Sequence, residues 1–456
     1  MLFRSLDAEM QEAPLAAPLP PIVAARYAPS VANAPPVEIV REAAAMLLRA
    51  ERPLFLIGRV SRDPAAWDLR VALAQALNAK VLTDLKVGAA FPTDHPLHID
   101  AAGILLRPES AKAIADADVI LSLDWVDLAG TLKVACGGES SAKIIQVSLD
   151  HLLHGGWSMD YQGLPPVDLF IAALPDAAVP LLLEALAPSH SAALAPSHSA
   201  VLAPSHSAVL APSRSAVLAP SRSKAPAPAT HAETYAVRKH AFSATPGENG
   251  RISTDDVAVA LRGVIGERPI SFSHLPLSWN GASWPFRHPL DFLGSDGGGG
   301  IGAGPGIAVG AALALKGSGR LPAAVCGDGD FLMGATAIWT ATHYRIPLLL
   351  IVANNRSYYN DEVHQERVAR MRNRPVENKW IGQRIAAPDV DLAAIARAQG
   401  AQGWGPIEGL DALAPALEQA VRAVQDGAVA VVDVHVQGGY TPAMTAALTQ
   451  VGRDRA

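Results

Sequence analysis

The 456-residue chain has almost no cysteine: Cys136 and Cys326 are the only two, far apart and without a CxxC spacing. That excludes a disulfide framework and a zinc ribbon and suits a reducing compartment, for which the cytoplasm is the default. A basic excess is also lacking. The 37 Lys and Arg against 43 Asp and Glu leave a net charge of −6, the wrong sign for a chain that neutralises a phosphate backbone, so no nucleic-acid partner is expected. Nor does any segment read as a membrane span. The uncharged stretch Gly297 to Leu315 carries eight glycines and Pro305, a composition for a loop entering a packed helix rather than for lipid. Met1 to Asp7 shows no basic head followed by apolar residues, so a secretory signal is not expected there. With 50% hydrophobic residues and only 18% charged ones, the chain can bury the cores of roughly two or three domains.

One segment divides the sequence. From Ala187 to about Arg222 an Ala-Pro-Ser-His-Ser-Ala-Val-Leu octad recurs, with prolines at 188, 196, 204, 212 and 220. A proline every eight residues breaks any helix, and the period is too short for a solenoid unit. Residues 187–231 therefore read as an Ala/Pro/Ser linker, partly polyproline II, and its His190, His198 and His206 as solvated residues rather than metal ligands. Before it, residues 37–186 alternate helix and strand. Helices are expected at Val37 to Arg49, Pro64 to Asn78 and Ser110 to Ala117. Strands are expected at Leu54 to Ile57, Val81-Leu82, Val119 to Leu123 and Ile144 to Val147. After it, residues 232–440 repeat the grammar: a helix capped at Ser253 or Thr254, strands at 270–272, 323–326, 348–352 and 428–436, and helices near 335–343, 390–398 and 410–424. Alternation of this kind predicts two α/β domains, each an open, mainly parallel sheet covered on both faces. Residues 1–36 are a proline-rich extended lead-in, and 441–456 a C-terminal tail that closes over a site or frays.

Chemistry concentrates in the second domain. Gly327-Asp328-Gly329-Asp330-Phe331 follows an apolar strand directly, and 24 residues separate Gly329 from Asn354-Asn355, which end the next apolar strand. Both groups fall at the carboxyl ends of strands, where open parallel sheets bind ligands. Glycines admit a phosphate close to the backbone, and the amides opening the following helix supply donors. An Asp carboxylate, an Asn amide oxygen and a backbone carbonyl are hard ligands suited to Mg²⁺ bridging a diphosphate.

At these residues the chain resembles the thiamine diphosphate (ThDP) enzymes, whose signature is GDG, about two dozen residues, then NN. The resemblance implies that Asp328 and Asn355 are side-chain ligands of Mg²⁺ and Ser357 the backbone carbonyl ligand, with Gly327 among the cofactor-binding residues and Gly329, Asp330 and Phe331 facing the diphosphate. The run from Gly297 to Gly310 also fits a dinucleotide GxGxxG formally, but Asp291 to Asp296 makes a poor preceding strand. It is more similar to the acetolactate synthase segment that places a large apolar residue beneath the cofactor, which implies that role for Ile301. His274 falls near the family's diphosphate contacts. His364, in a polar aromatic stretch where relatives have a mobile active-site segment, is a candidate proton carrier. The stretches Arg52 to Gly58, Leu82 to Lys86 and Ala90 to Pro96 resemble the central domain of acetolactate synthase and benzoylformate decarboxylase relatives. Some members bind FAD or an adenine nucleotide there; no residue diagnostic of either is found, so a structural role is expected.

The family activates its cofactor with a glutamate from a separate pyrimidine-binding domain. Here Leu6 to Glu12 resembles the end of that domain, and neither Glu9 nor Glu12 stands where the catalytic strand should be. No catalytic carboxylate is therefore expected in the chain. The resemblance implies a ThDP- and Mg²⁺-dependent lyase or carboligase of 2-oxo acids or related acyl donors, a homo-oligomer or a chain completed by a separate pyrimidine-domain partner. Two alternatives remain open: a coenzyme A thioester as substrate, and a catalytically silent ThDP-binding subunit or truncated remnant.

Overall fold

A computed structural model describes residues 12–15, 17–18, 21–23, 26, 34–150, 163–187, 245–295 and 300–440. Glu9, the repeat segment beyond Ala187 and the tail 441–456 lie outside the described residues; Glu12 is exposed. Two five-stranded sheets organise the rest, and every strand pair in both is parallel. This is the expected pair of open α/β sheets.

The first sheet has the order β2-β1-β3-β4-β5, built from β1 (Pro53–Ile57), β2 (Lys80–Leu82), β3 (Val119–Leu123), β4 (Lys143–Val147) and β5 (Leu169–Ile171). β1 and β3 are buried at every position, as apolar strands covered on both faces must be. Around them lie α1 (Val37–Leu48), α2 (Pro64–Ala76), α3 (Pro108–Asp116), α4 (Leu128–Cys136) and α5 (Pro175–Leu186). α1, α2 and α3 match the periodicity of the sequence. α4, β5 and α5 do not appear in that reading. β5 is three residues long, and α5 carries both Pro175 in its first turn and Pro180 inside.

The second sheet has the order β6-β7-β8-β10-β9, from β6 (Ile270–Phe272), β7 (Leu321–Gly327), β8 (Leu348–Asn354), β9 (Gln402–Ile407) and β10 (Val429–His435). Its helices are α6 (Thr254–Ile265), α7 (Ala303–Ala314), α8 (Asp328–Gly334), α9 (Thr336–His343), α10 (Tyr359–Met371), α11 (Leu392–Ala398) and α12 (Leu410–Gln425). The expected cap of α6 is a full capping box, Ser253 and Asp256 each satisfying the other's backbone amide. β9 holds Gly403, Gly405 and Pro406, which conceal an edge strand. Residues 291–295 form no strand; Phe292 makes only an isolated bridge to Phe272.

Backbone bonds join the two sheets' domains. Ala89 N donates to Phe292 O at 2.8 Å, Thr93 N to Phe286 O at 3.0 Å, and Phe286 N to Thr93 Oγ1 at 2.9 Å. The Arg287 guanidinium adds a 2.6 Å bond to the buried Asp94 carboxylate.

Inside the first domain one guanidinium is wholly enclosed among the described residues. Arg70 on α2 is 1% exposed; it donates to Asp176 Oδ1 on α5 at 2.8 Å, Ala90 O at 3.1 Å and Ser61 O at 3.2 Å. It therefore ties α2, α5 and two loops around one point. Truncating the side chain leaves a cavity and takes the donor from the Ala90 and Ser61 carbonyls, so Arg70→Ala should destabilise the chain by about 3 kcal/mol in urea unfolding. A loss below about 1 kcal/mol would mean that the pair counts for no more than a surface ion pair.

Candidate functional site

β7 runs straight into α8, so Gly327 ends a strand and Asp328 begins a helix. The neighbouring β8 ends at Asn354, paired in register with His435 of β10. The ends of β7 and β8 deliver Asp328, Asn354 and Asn355 to one edge. The turn after β8 then folds back: Arg356 takes a positive φ of 58°, and residues 356–358 pair with 383–385 through Tyr358 N to Gln383 O and Ile385 N to Arg356 O, both at 2.9 Å.

That turn brings together the residues expected at the metal. Ser357 N donates to Asp328 Oδ2 at 2.9 Å and to Asn355 Oδ1 at 3.0 Å. One amide thus draws the carboxylate and the carboxamide to the same point. Asp328 is 2% exposed, and burial pushes its carboxyl up to about 6, opposed only partly by backbone amides of residues 328, 329, 356 and 357. A carboxylate enclosed among backbone donors, beside an amide oxygen and a peptide carbonyl, is a hard-oxygen set with lone pairs to spare, and these residues fit Mg²⁺. Ser357 is also fixed through its side chain: its hydroxyl donates to Glu362 Oε1 on α10, and Arg384 Nε stands 3.0 Å from the same oxygen.

The two asparagines divide their work. Asn354 turns inward and donates to Asp433 Oδ1 of β10 at 2.9 Å, while its own oxygen accepts from Arg356 N at 3.0 Å. Asp433 is fully buried, and burial raises its pKa. Neither Asp433 nor Glu362 was expected. A single acid inside the apolar run Val429 to Val434 is the signal that marks Asp433; nothing local marks Glu362.

Gly329 lies against the ring of Tyr358: a Cβ there would stand 2.1 Å from Tyr358 Cε1. Any larger residue would have to displace that ring. Phe331 and Asp330 depart from the expectation that they face a diphosphate. Phe331 is completely buried in the core with Cys326, Ile338 and Leu350. Asp330 turns to Gly302 N at 2.6 Å, with His274 Nε2 3.2 Å from its other oxygen. Only their backbone is left to meet a phosphate. Ile301 stands in the turn before α7 and is 48% exposed, while Gly310 lies within that helix.

His364, the candidate proton carrier, sits on α10, a regular helix, and is exposed. At two residues beyond the inward-facing Glu362 it lies about 200° around the helix, away from Ser357. A cleft of about 370 Å³ does open beside the site, lined by Asn355, Ser357, Tyr359, Glu362, Arg384 and His435 among others. No helix among the described residues is long and apolar enough to cross a membrane.

Comparison with known proteins fits this geometry. The model of the thiamine pyrophosphate enzyme central domain matches residues 40–156, and that of the C-terminal TPP binding domain matches residues 277–434. Among solved structures the chain is similar to benzoylformate decarboxylase from Polynucleobacter necessarius, with 18% identity and a TM-score of 0.65 over 93% of this chain and 69% of that one. It is also similar to the 4-hydroxybenzoylformate decarboxylase of Rhodococcus jostii RHA1, with 19% identity and a TM-score of 0.60 over 92% and 68%. The chain thus spans about two thirds of each. No curated protein sequence matches it.

Removing the carboxylate tests the site. Asp328→Ala should abolish Mg²⁺-dependent ThDP binding in calorimetry, since a hard cation loses its only carboxylate ligand, and Asn355→Ala should weaken it. Unchanged affinity in Asp328→Ala would refute the assignment.

Proposed function

Because the chain belongs to the thiamine pyrophosphate enzymes, carrying their central domain and their C-terminal cofactor-binding domain, we propose that it supplies the Mg²⁺ and diphosphate half of a ThDP-dependent lyase or carboligase acting on 2-oxo acids or related acyl donors. The observation that carries this reading is the convergence of Asp328 and Asn355 on the amide of Ser357 at the ends of β7 and β8. When bound, the cofactor supplies a carbon nucleophile that adds to a carbonyl and takes up the electron pair released by decarboxylation or C–C cleavage.

The chain's own residues have a narrower task. Asp328, Asn355 and the Ser357 carbonyl would hold Mg²⁺ and through it the diphosphate, and the amides opening α8 would meet phosphate oxygens. Glu362 and Asp433 brace the turn that carries those ligands: one accepts from the Ser357 hydroxyl, the other from the amide of Asn354, the residue before Asn355. Arg251, Arg356 and Arg384 border the cleft next to Asn355, and guanidinium groups suit the carboxylate of a 2-oxo acid. The resemblance of fold to two enzymes described as benzoylformate decarboxylases supports the same substrate class.

Activation of the pyrimidine ring is assigned to a domain outside these 456 residues, on a longer chain or on a partner. Apolar side chains available for such a contact are Ile301, Met333 on α8 and Trp339 on α9, each about half exposed. Deuterium exchange at the cofactor's C2 carbon, followed by NMR, tests this division. General acid–base help is typically worth 10²- to 10⁴-fold, so adding a pyrimidine-binding domain in cis or in trans should raise exchange by at least about 10². Full exchange by residues 1–456 alone would overturn the split. Diphosphate binding with no gain in exchange from any such domain would point to a silent subunit.

A further inference from the structure

Two residues beyond the metal-binding aspartate, Asp330 leaves the cleft and closes on a different loop. Its Oδ1 accepts from Gly302 N at 2.6 Å and from Gly304 N at 3.2 Å, while Oδ2 lies 3.2 Å from His274 Nε2. Those two amides open α7, a 12-residue helix whose N-cap residue, Gly302, has φ 97° and offers no side chain to cap it. Asp330 therefore caps α7 from another helix, placing a carboxylate where unpaired amides and the helix dipole favour negative charge.

The packing around this contact leaves no slack. A Cβ on Gly304 would stand 2.0 Å from Asp330 Oδ2, and one on Gly334 at the end of α8 would stand 2.5 Å from Gly302 O. A Cβ on Gly302 would stand 2.8 Å from Met333 Cβ, besides demanding a left-handed backbone. The turn 301–304 and the helix α8 are therefore docked backbone to backbone, with Asp330 as the polar tie. Asp328 starts that same helix, so the metal ligand and the turn bearing Ile301 are parts of one unit.

We propose that Asp330 is a positioning residue that fixes the Ile301 turn relative to Asp328, so that the part of a cofactor beyond its diphosphate is held at a set distance and angle from the metal. The inference rests on the reading that this site takes ThDP, and it assigns Asp330 a task distinct from phosphate contact. Two amides donating to one ionised oxygen form a stronger tie than neutral bonds. No alternative donor or acceptor spans α8 and the turn in its place among the bonds that Gly302 and Gly304 make.

The test compares Asp330→Ala, Asp330→Asn and the unaltered chain by hydrogen–deuterium exchange of residues 300–306 and by calorimetry with two probes, Mg²⁺ plus inorganic diphosphate and Mg²⁺ plus ThDP. Asp330→Ala should speed amide exchange in that segment and weaken ThDP binding, each by at least about tenfold, while holding inorganic diphosphate within about threefold. Asp330→Asn, which keeps an oxygen acceptor in the same place, should restore both. A purely structural residue would lose the two probes together with thermal stability and would gain nothing selective from Asn. Unchanged exchange in Asp330→Ala, or equal loss of both probes, would overturn the proposal. Should Asp330→Ala fail to fold, Gly304→Ala breaks the same tie from the opposite side and is held to the same outcomes. Absence of diphosphate binding by the unaltered chain would instead overturn the cofactor reading, and the exchange comparison would still decide whether Asp330 holds the turn.

Discussion

The amide of Ser357 is the point on which the site depends. It reaches Asp328 at the end of one strand and Asn355 just past the end of its neighbour, and so joins two segments that are 27 residues apart in sequence. Nothing in either strand requires their side chains to converge. The turn that follows β8 does, because Arg356 accepts a left-handed conformation and residues 356–358 are held by the 383–385 segment. Glu362 and Arg384 secure the same turn from the side. The proposed metal ligands are thus placed by a loop braced on three sides, with the parallel sheet as its foundation.

Enclosing a carboxylate is costly, and Asp328 illustrates how the proposed cation would offset that cost. Its surroundings provide amides, which partly compensate a buried charge, and its carboxyl remains raised to about 6 by desolvation. Asp330, two positions on, is held below the usual carboxylate range despite burial, with His274 and the amides of Gly302 and Gly304 as the opposing causes. The same turn of helix therefore carries one acid compensated by a histidine and two helix-opening amides and one held among backbone amides alone. Asp330 organises the fold around the site. Asp328, facing no cationic side chain among those causes, keeps lone pairs for the proposed cation.

Much of this was legible in the sequence, because spacing encodes it. A strand, a GDG turn, a helical crossover and a second strand ending in Asn-Asn can be assembled in few ways in a parallel sheet. The direction taken by Asp330 was not read, although its cause is simple: α8 begins at Asp328, and two residues of helix rotate a side chain by about 200°. Glu362 and α10 escaped because the segment Tyr359–Met371 is mostly polar, with Glu362 and Val363 its buried residues, so hydrophobic periodicity is silent there. β9 was hidden by its glycines and proline. These losses share a cause, since each feature is fixed by contacts distant in sequence rather than by local pattern.

Anomalous scattering from crystals grown with Mn²⁺ in place of Mg²⁺, together with inorganic diphosphate, tests the central claim most directly. The account predicts one metal peak about 2 Å from a carboxylate oxygen of Asp328, the side-chain oxygen of Asn355 and the carbonyl oxygen of Ser357, with diphosphate and water oxygens completing an octahedron. A peak elsewhere, or diphosphate bound in the cleft without a metal at these three residues, would contradict it.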